Sequence, residues 1–289
     1  MTDPAGTQPL PSAEAGRILV LLDASHASQA ALEAAATLAA TLQGELQAIF
    51  VEEADLLRSA AYPFTREIGS LSGQPRPLET GLLETRLRRR AAHLRRAAEQ
   101  AAARARIHCS LEVRRGSVRR EVLALTTPGD FLVLGKIGWS AATGSRLGST
   151  ARSLVHEAPG RVHLTGTRPT RPDSPVLVVV DAPETAHEAL VFARARARQQ
   201  RRPLTVLLVP LDDPDAARER DRALSEWVAT DDPPVRVRSL RSSAPRELLR
   251  TLERQPAAEV VLGRRSPLLA GPQGDALLGA LEPPVTITP

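Results

Sequence analysis

The apolar positions of the chain fall into short continuous runs, separated by longer stretches in which apolar residues recur every three or four positions. Residues 17–23 (RILVLLD) open the series, runs at 45–51, 130–135 and 161–164 follow it, and 108–114 alternates as a further strand. Runs of this length bounded by polar turns predict buried parallel strands. The stretches between them predict helices at 24–42, 82–106, 117–126 and 149–157, the first capped by Ser25 or Ser28 and closed by Gly44. In the 82–106 stretch Leu83, Leu87, Ala91, Leu94, Ala98, Ala101 and Ala105 form one apolar stripe, and Arg88, Arg89, Arg95, Arg96 and Arg104 fall on other faces. Residues 52–80, with Tyr62-Pro63, Gly69, Gly73, Pro75 and Pro77, break the pattern and read as an insertion with a little helix and a mobile loop.

The pattern then starts again. Residues 176–181 (VLVVVD) repeat a strand ending in Asp, and strands at 204–209, 235–240, 259–263 and 285–288 alternate with helices at 184–200, 214–229, 244–254 and 273–281. Arg115-Gly-Ser-Val-Arg-Arg-Glu121 in the first half is echoed by Arg241-Ser-Ser-Ala-Pro-Arg-Glu247 in the second. These arginines precede the strand-four glycines Gly135 and Gly263 by 20 and 22 residues, which points to an internal duplication. The expected organisation is a disordered leader at 1–16, a first domain at 17–168 with its insertion at about 52–80, a linker at 169–175 and a second domain at 176–289. Strands alternating with helices imply an α/β fold with parallel sheets and right-handed crossovers.

Composition narrows the function. One cysteine, Cys109, leaves no disulfide within the chain and no cysteine-based structural zinc site. The N-terminal residues lack a signal-peptide pattern, and no apolar run approaches the ~20 residues of a membrane span; a cytoplasmic protein is expected. The net charge is +5, but Lys136 is the only lysine among 38 basic residues, so the basic balance reads as arginine bias rather than as a nucleic-acid footprint.

The candidate chemistry lies in residues 135–150, where Gly135 and Gly138 follow a buried strand and Gly148, Ser149 and Thr150 open a helix. Glycines let a backbone approach a ligand closely, and a helix start offers free amides and a positive dipole end to phosphate. The spacing G-x2-G-x9-G-[ST], with Asp23-Ala24-Ser25 after the first strand, resembles the universal stress protein family, and the resemblance covers nearly the whole chain as two tandem copies. It implies two tandem doubly wound five-stranded parallel sheets of the adenine nucleotide α-hydrolase-like kind, in strand order 3-2-1-4-5. Carried over by position, Asp23 and Ala24 sit at the adenine or ribose edge, and Val51 meets adenine through its backbone. Gly135, Gly138, Gly148, Ser149 and Thr150 hold ribose and phosphates. The implied cofactor is ATP, with or without Mg. Lys136 and Arg146 are further candidates for phosphate, and Trp139 is a bulky residue that could gate the pocket.

The second copy departs from the motif. Ser266 replaces its second glycine, and Ala276, Leu277 and Leu278 stand where Gly148, Ser149 and Thr150 stand in the first. Apolar groups there would leave phosphate oxygens unsatisfied, so one site is expected, in the first domain, and the second domain is a partner without one. In the family, subunits commonly pair through strand five, which implies that 161–164 and 285–288 pair as an intramolecular pseudo-dimer and leaves a further homodimer open. The expected function is a stress-response regulatory protein that binds an adenine nucleotide and meets a protein partner through 52–80 or the arginine-rich 82–106 helix. The alternative is a nucleotide-free scaffold of the same fold. The chain has no P-loop and no nucleophile elbow, and its six histidines show no ligand spacing. No enzyme is expected, with slow ATP hydrolysis left open.

Overall fold

The computed structural model describes residues 16–23, 25–69, 73–138, 147–167, 170–181, 183–228 and 233–289. The N-terminal half runs β1 (Ile18–Leu22), α1 (His26–Leu42), β2 (Leu46–Glu53), α2 (Ala54–Ala60), β3 (Arg66–Ile68), β4 (Pro75–Pro77), α3 (Thr80–Ala105), β5 (Cys109–Gly116), α4 (Val118–Leu125), β6 (Phe131–Leu134), α5 (Ser149–Glu157) and β7 (Arg161–Leu164). The C-terminal half runs β8 (Val176–Val180), α6 (Pro183–Gln200), β9 (Leu204–Leu208), α7 (Pro214–Val228), β10 (Val235–Ser239), α8 (Pro245–Arg254), β11 (Glu259–Gly263), a 3-10 turn at Pro267–Leu269, α9 (Gly271–Ala280) and β12 (Val285–Thr288).

Ten of these strands form one sheet, in the order β10-β9-β8-β11-β12-β7-β6-β1-β2-β5. Within each half the strands are parallel and follow the order 3-2-1-4-5, the doubly wound arrangement. The halves meet where β12 runs antiparallel to β7, with Thr286 opposite His163. On one face of the sheet a single apolar core crosses this seam, joining Leu134, Val162 and Leu164 to Val260, Val285 and Ile287 under α5, α8 and α9. On the other face each half has its own core, and Phe192 of α6 packs against both. Its ring centroid lies 5.7 Å from that of Phe131.

A polar chain is buried at the seam. Nδ1 of His163 lies 2.9 Å from the Thr286 hydroxyl, which donates to Glu259 at 2.5 Å; Arg196 and Gln200 donate to the other Glu259 oxygen at 3.0 and 2.9 Å. Burial dominates His163 and pushes its pKa down to about 4, so the ring is neutral. Burial is the largest influence on Glu259 and opposes its charge, but Arg196, His163 and the Thr286 hydrogen bond together outweigh that cost and hold the carboxyl below its usual range.

Local expectations are corrected in three places. Ser25, not Ser28, caps α1, accepting from the Ser28 amide, and the left-handed residue at the other end is Gln43 (φ 53°) rather than Gly44. Gly44 instead donates its amide to Ala39 O, sealing the helix end with a backbone bond that any residue could make. The insertion holds α2 and also the β3–β4 hairpin, and the turn between α2 and β3 exposes a stacked Tyr62–Phe64 pair. Its expected mobile loop falls partly on 70–72, outside the described residues. Among the described residues no helix is long and apolar enough to cross a membrane.

Candidate functional site

The sheet order reverses at β1, whose neighbours are β2 on one side and β6 on the other. A crevice opens beyond the strand ends at such a point, and ligands of open α/β sheets bind there. β1 ends at Leu22, opposite Phe50, while β2 continues to Glu53 alongside β5. Val51 and Glu53 therefore overhang the crevice from one side, and the loop after β6 closes it from the other.

The result is a pocket of about 340 Å³, lined among others by Asp23, Val51, Gly135, Gly138, Gly148, Ser149 and Thr150. Of the expected site residues that are described, all but Lys136 thus lie on one pocket. Ala24, Trp139 and Arg146 lie outside the described residues. The volume is within the range of small-ligand pockets.

Each wall has a local cause. Asp23 ends its strand in a tight turn, with Oδ1 accepting from the Ser25 amide at 2.9 Å. Its Oδ2 faces Gly138, where an added Cβ would stand 2.9 Å away. Gly135 packs on the first turn of α1, where an added Cβ would meet Ala27 Cβ at 2.7 Å and the Ala27 carbonyl carbon at 3.1 Å. Only a residue without a side chain lets strand end and helix come so close. Gly148 differs. Its backbone is extended (φ −71°, ψ 155°), and an added Cβ would find its nearest neighbour, Lys136 O, at 3.5 Å, an ordinary contact.

Gly148 donates its amide to Lys136 O at 2.8 Å, so this amide closes the loop and does not face a ligand. The backbone bond from Arg152 to Gly148 O at 3.0 Å starts the α5 ladder. The amides of Ser149, Thr150 and Ala151 precede that bond and stand at the positive end of the helix. Ser149 is exposed and Thr150 half-buried, both on the pocket wall.

The expectation for Lys136 is overturned. Its side chain is buried and leaves the loop away from the pocket, donating to Leu281 O and, at 3.4 Å, to Pro283 O in the C-terminal half. Burial lowers its pKa to about 8, with Glu282 opposing the shift. Among the described residues the cation on the pocket wall is Arg90 of α3, joined by Leu87 of the same helix and by Leu56 of α2. The sequence held a signal for Arg90: it lies three residues after Leu87 and four before Leu94, at helical spacing beside Ala91 on the apolar stripe of α3. Glu53, Ser25 and Ser28 also line the pocket; the sequence points to Ser25 and Ser28 only as helix caps and, for Ser25, as part of the Asp23-Ala24-Ser25 turn.

The corresponding place in the C-terminal half is filled. The Ser266 hydroxyl donates to buried Asp181 and accepts from the Leu268 amide at 3.2 Å, starting the Pro267–Leu269 turn. Leu268 and Leu269 are buried in the core, as are Leu277 and Leu278 of α9. Burial pushes the Asp181 carboxyl up despite the Ser266 bond.

For a metal, no cluster of three or more His, Cys, Asp or Glu exists among the described residues. The carboxylates on the pocket wall are Asp23 and Glu53. A magnesium ion bound through one or two carboxylates and substrate phosphates would need no more.

The model of the universal stress protein family matches residues 14–165. No curated protein sequence matches the chain. Among solved structures, a universal stress protein from Archaeoglobus fulgidus DSM 4304 aligns with a TM-score of 0.70 at 16% identity, covering 96% of this chain and 97% of that one. A functionally unknown protein from Pseudomonas aeruginosa PAO1 aligns with a TM-score of 0.60 at 18% identity, covering 96% and 93%. The cytoplasmic domain of a prokaryotic cation chloride cotransporter aligns with a TM-score of 0.52 at 11% identity, covering 94% of each chain. At these identities the likeness is one of fold.

Proposed function

The chain belongs to the universal stress protein family, and from that premise we propose that it is a stress-response regulatory protein that binds an adenine nucleotide, ATP in the first instance, in the pocket at the β1 reversal point of its N-terminal half. The observation that carries this reading is the convergence of Asp23, Val51, Gly135, Gly138, Gly148, Ser149 and Thr150 on one crevice at the sheet's reversal point. In the proposed pose the base and ribose lie between the β2 overhang at Val51 and Asp23, which accepts from a ribose hydroxyl. The phosphates lie over Gly138 and at the start of α5, where the amides of Ser149–Ala151 and the two hydroxyls donate to their oxygens. Leu56 and Leu87 cover the apolar side, and Arg90 adds positive charge to the wall. Magnesium, where present, would arrive with the triphosphate. The role assigned is binding, and no reaction is derived.

Calorimetric titration with ATP tests this, beside a Gly148→Leu variant whose side chain would spread over the phosphate end. Saturable binding that the variant loses is the expected result, and no heat of binding at millimolar ATP would overturn it. A nucleotide-free scaffold is the second reading. It is favoured by the exposed apolar side chains of the insertion, Tyr62 at 58%, Phe64 at 79% and Ile68 at 73%.

A further inference from the structure

The two halves hold each other's helix ends in the same way. Gly135-Lys136 follows β6, and Gly263 ends β11 with Arg264 after it, at the equivalent place. Lys136 crosses the seam and donates to Leu281 O, the C-cap carbonyl of α9, and to Pro283 O at 3.4 Å. Arg264 crosses in the opposite direction and donates to Val155 O in the last turn of α5 at 2.8 Å and to Gly160 O at 2.6 Å. The last carbonyls of a helix lack intrahelical partners and carry its negative dipole end, so a cation there satisfies both. A second link joins the same helices: Asp275 of α9 pairs with Arg152 at 3.2 Å and with His156 at 3.4 Å, both on α5.

These links begin and end on the pocket. Lys136 lies between Gly135 and Gly138, and its carbonyl accepts the Gly148 amide, so its main chain shapes the glycine loop while its side chain is anchored in the other half. α5 offers its N-terminal residues to the pocket, and Arg264 and Asp275 hold its C-terminal end and its exposed flank. We propose that Lys136 and Arg264 are reciprocal positioning residues, through which the C-terminal half, its own site filled, fixes the glycine loop and α5 in the geometry that binds ligand. The C-terminal half thereby becomes a regulatory input, because whatever shifts α9 or the loop before β12 acts on the pocket through these two side chains. This rests on the nucleotide-binding reading for its affinity arm and on geometry alone for its exchange arm.

The test measures ATP affinity and amide hydrogen exchange on the full chain with Lys136→Met, Arg264→Met, Asp275→Ala and the conservative Arg264→Lys. Lysine is the residue the N-terminal half uses at the equivalent place, so Arg264→Lys restores a cation at α5. Arg264→Met and Lys136→Met are expected to weaken ATP binding by about fivefold or more and to speed exchange at 135–138 and 147–151. The circular dichroism spectrum stays native, and Arg264→Lys recovers most of the affinity, which a loss of packing alone would not produce. Native affinity and native exchange in both methionine variants would overturn the proposal. If the wild type binds no ATP, the nucleotide reading fails and the exchange arm decides the latch alone: faster exchange in the variants sustains it and unchanged exchange overturns it. If buried Lys136→Met does not fold, half-buried Arg264→Met and Asp275→Ala are read by the same criteria.

Discussion

Replacing the pocket glycines by alanine separates a glycine that the fold requires from one that it does not. At Gly135 the new methyl would stand 2.7 Å from Ala27 Cβ and 3.1 and 3.2 Å from the Ala27 carbonyl carbon and oxygen. Carbon–carbon contacts are favourable near 3.5–4.0 Å, so the first turn of α1 must retreat by about 0.8 Å or the end of β6 must. Two of the three clashing atoms are backbone, and the turn is pinned by Ser25 and Asp23. Overpacking of this kind costs about 1–3 kcal/mol. At Gly148 the nearest atom is 3.5 Å away and the backbone is extended, so Gly148→Ala loses only the preference of an N-cap for glycine over alanine, under about 1 kcal/mol. At Gly138 the obstruction is Asp23 Oδ2, the end of a side chain that can rotate. Gly138→Ala is therefore expected to keep near-native stability while turning Asp23 and weakening ATP binding. Urea unfolding followed by circular dichroism measures all three. Gly135→Ala proving as stable as Gly148→Ala would refute the reasoning, since it would mean that the strand end and α1 have slack.

Two further predictions concern buried titrating groups. His163 stays neutral in the fold down to about pH 4, whereas the unfolded chain takes up that proton near pH 6.5. Stability should therefore fall as pH drops through this window, by up to roughly 3 kcal/mol, and His163→Phe should flatten that part of the pH profile; an unchanged slope would show that the ring titrates normally. Lys136, with its pKa near 8, loses its proton in the fold before it does in the unfolded chain. The wild type should gain up to roughly 3 kcal/mol over Lys136→Met as pH rises from 8 to 10.5, a difference that urea midpoints at the two ends of the window would reveal or deny.

The fold class could be read from the chain because the central strands of the sheet are continuous apolar runs closed by turn chemistry and the edge strands β5 and β10 alternate. α5, β7 and β12 begin and end where the pattern places them. The β3–β4 hairpin could not, since Arg-Glu-Ile and Pro-Arg-Pro show no alternation to betray a strand. The Pro267–Leu269 turn, which fills the C-terminal counterpart of the pocket, was also missed because a three-residue element has no period. Its Ser266 was read only as a lost glycine, while in the structure it is the bond that ties the turn to Asp181. Spacing brought out the glycines and hydroxyls of the pocket but not the direction of Lys136, because the side on which a side chain leaves a strand end depends on what packs against it from a distant part of the chain. Arg90 was legible in principle as a charge on an apolar stripe, once α3 is known to pass over the pocket.

The central claim is one nucleotide site per chain, open in the N-terminal half and filled in the C-terminal half. Equilibrium dialysis of the intact protein against labelled ATP, carried to saturation, tests it most directly. The proposed function predicts a plateau at one ATP per chain. A plateau at two would mean that the Ser266–Leu269 plug opens, and no binding would mean that the glycine loop and α5 form a fold element and not a nucleotide site.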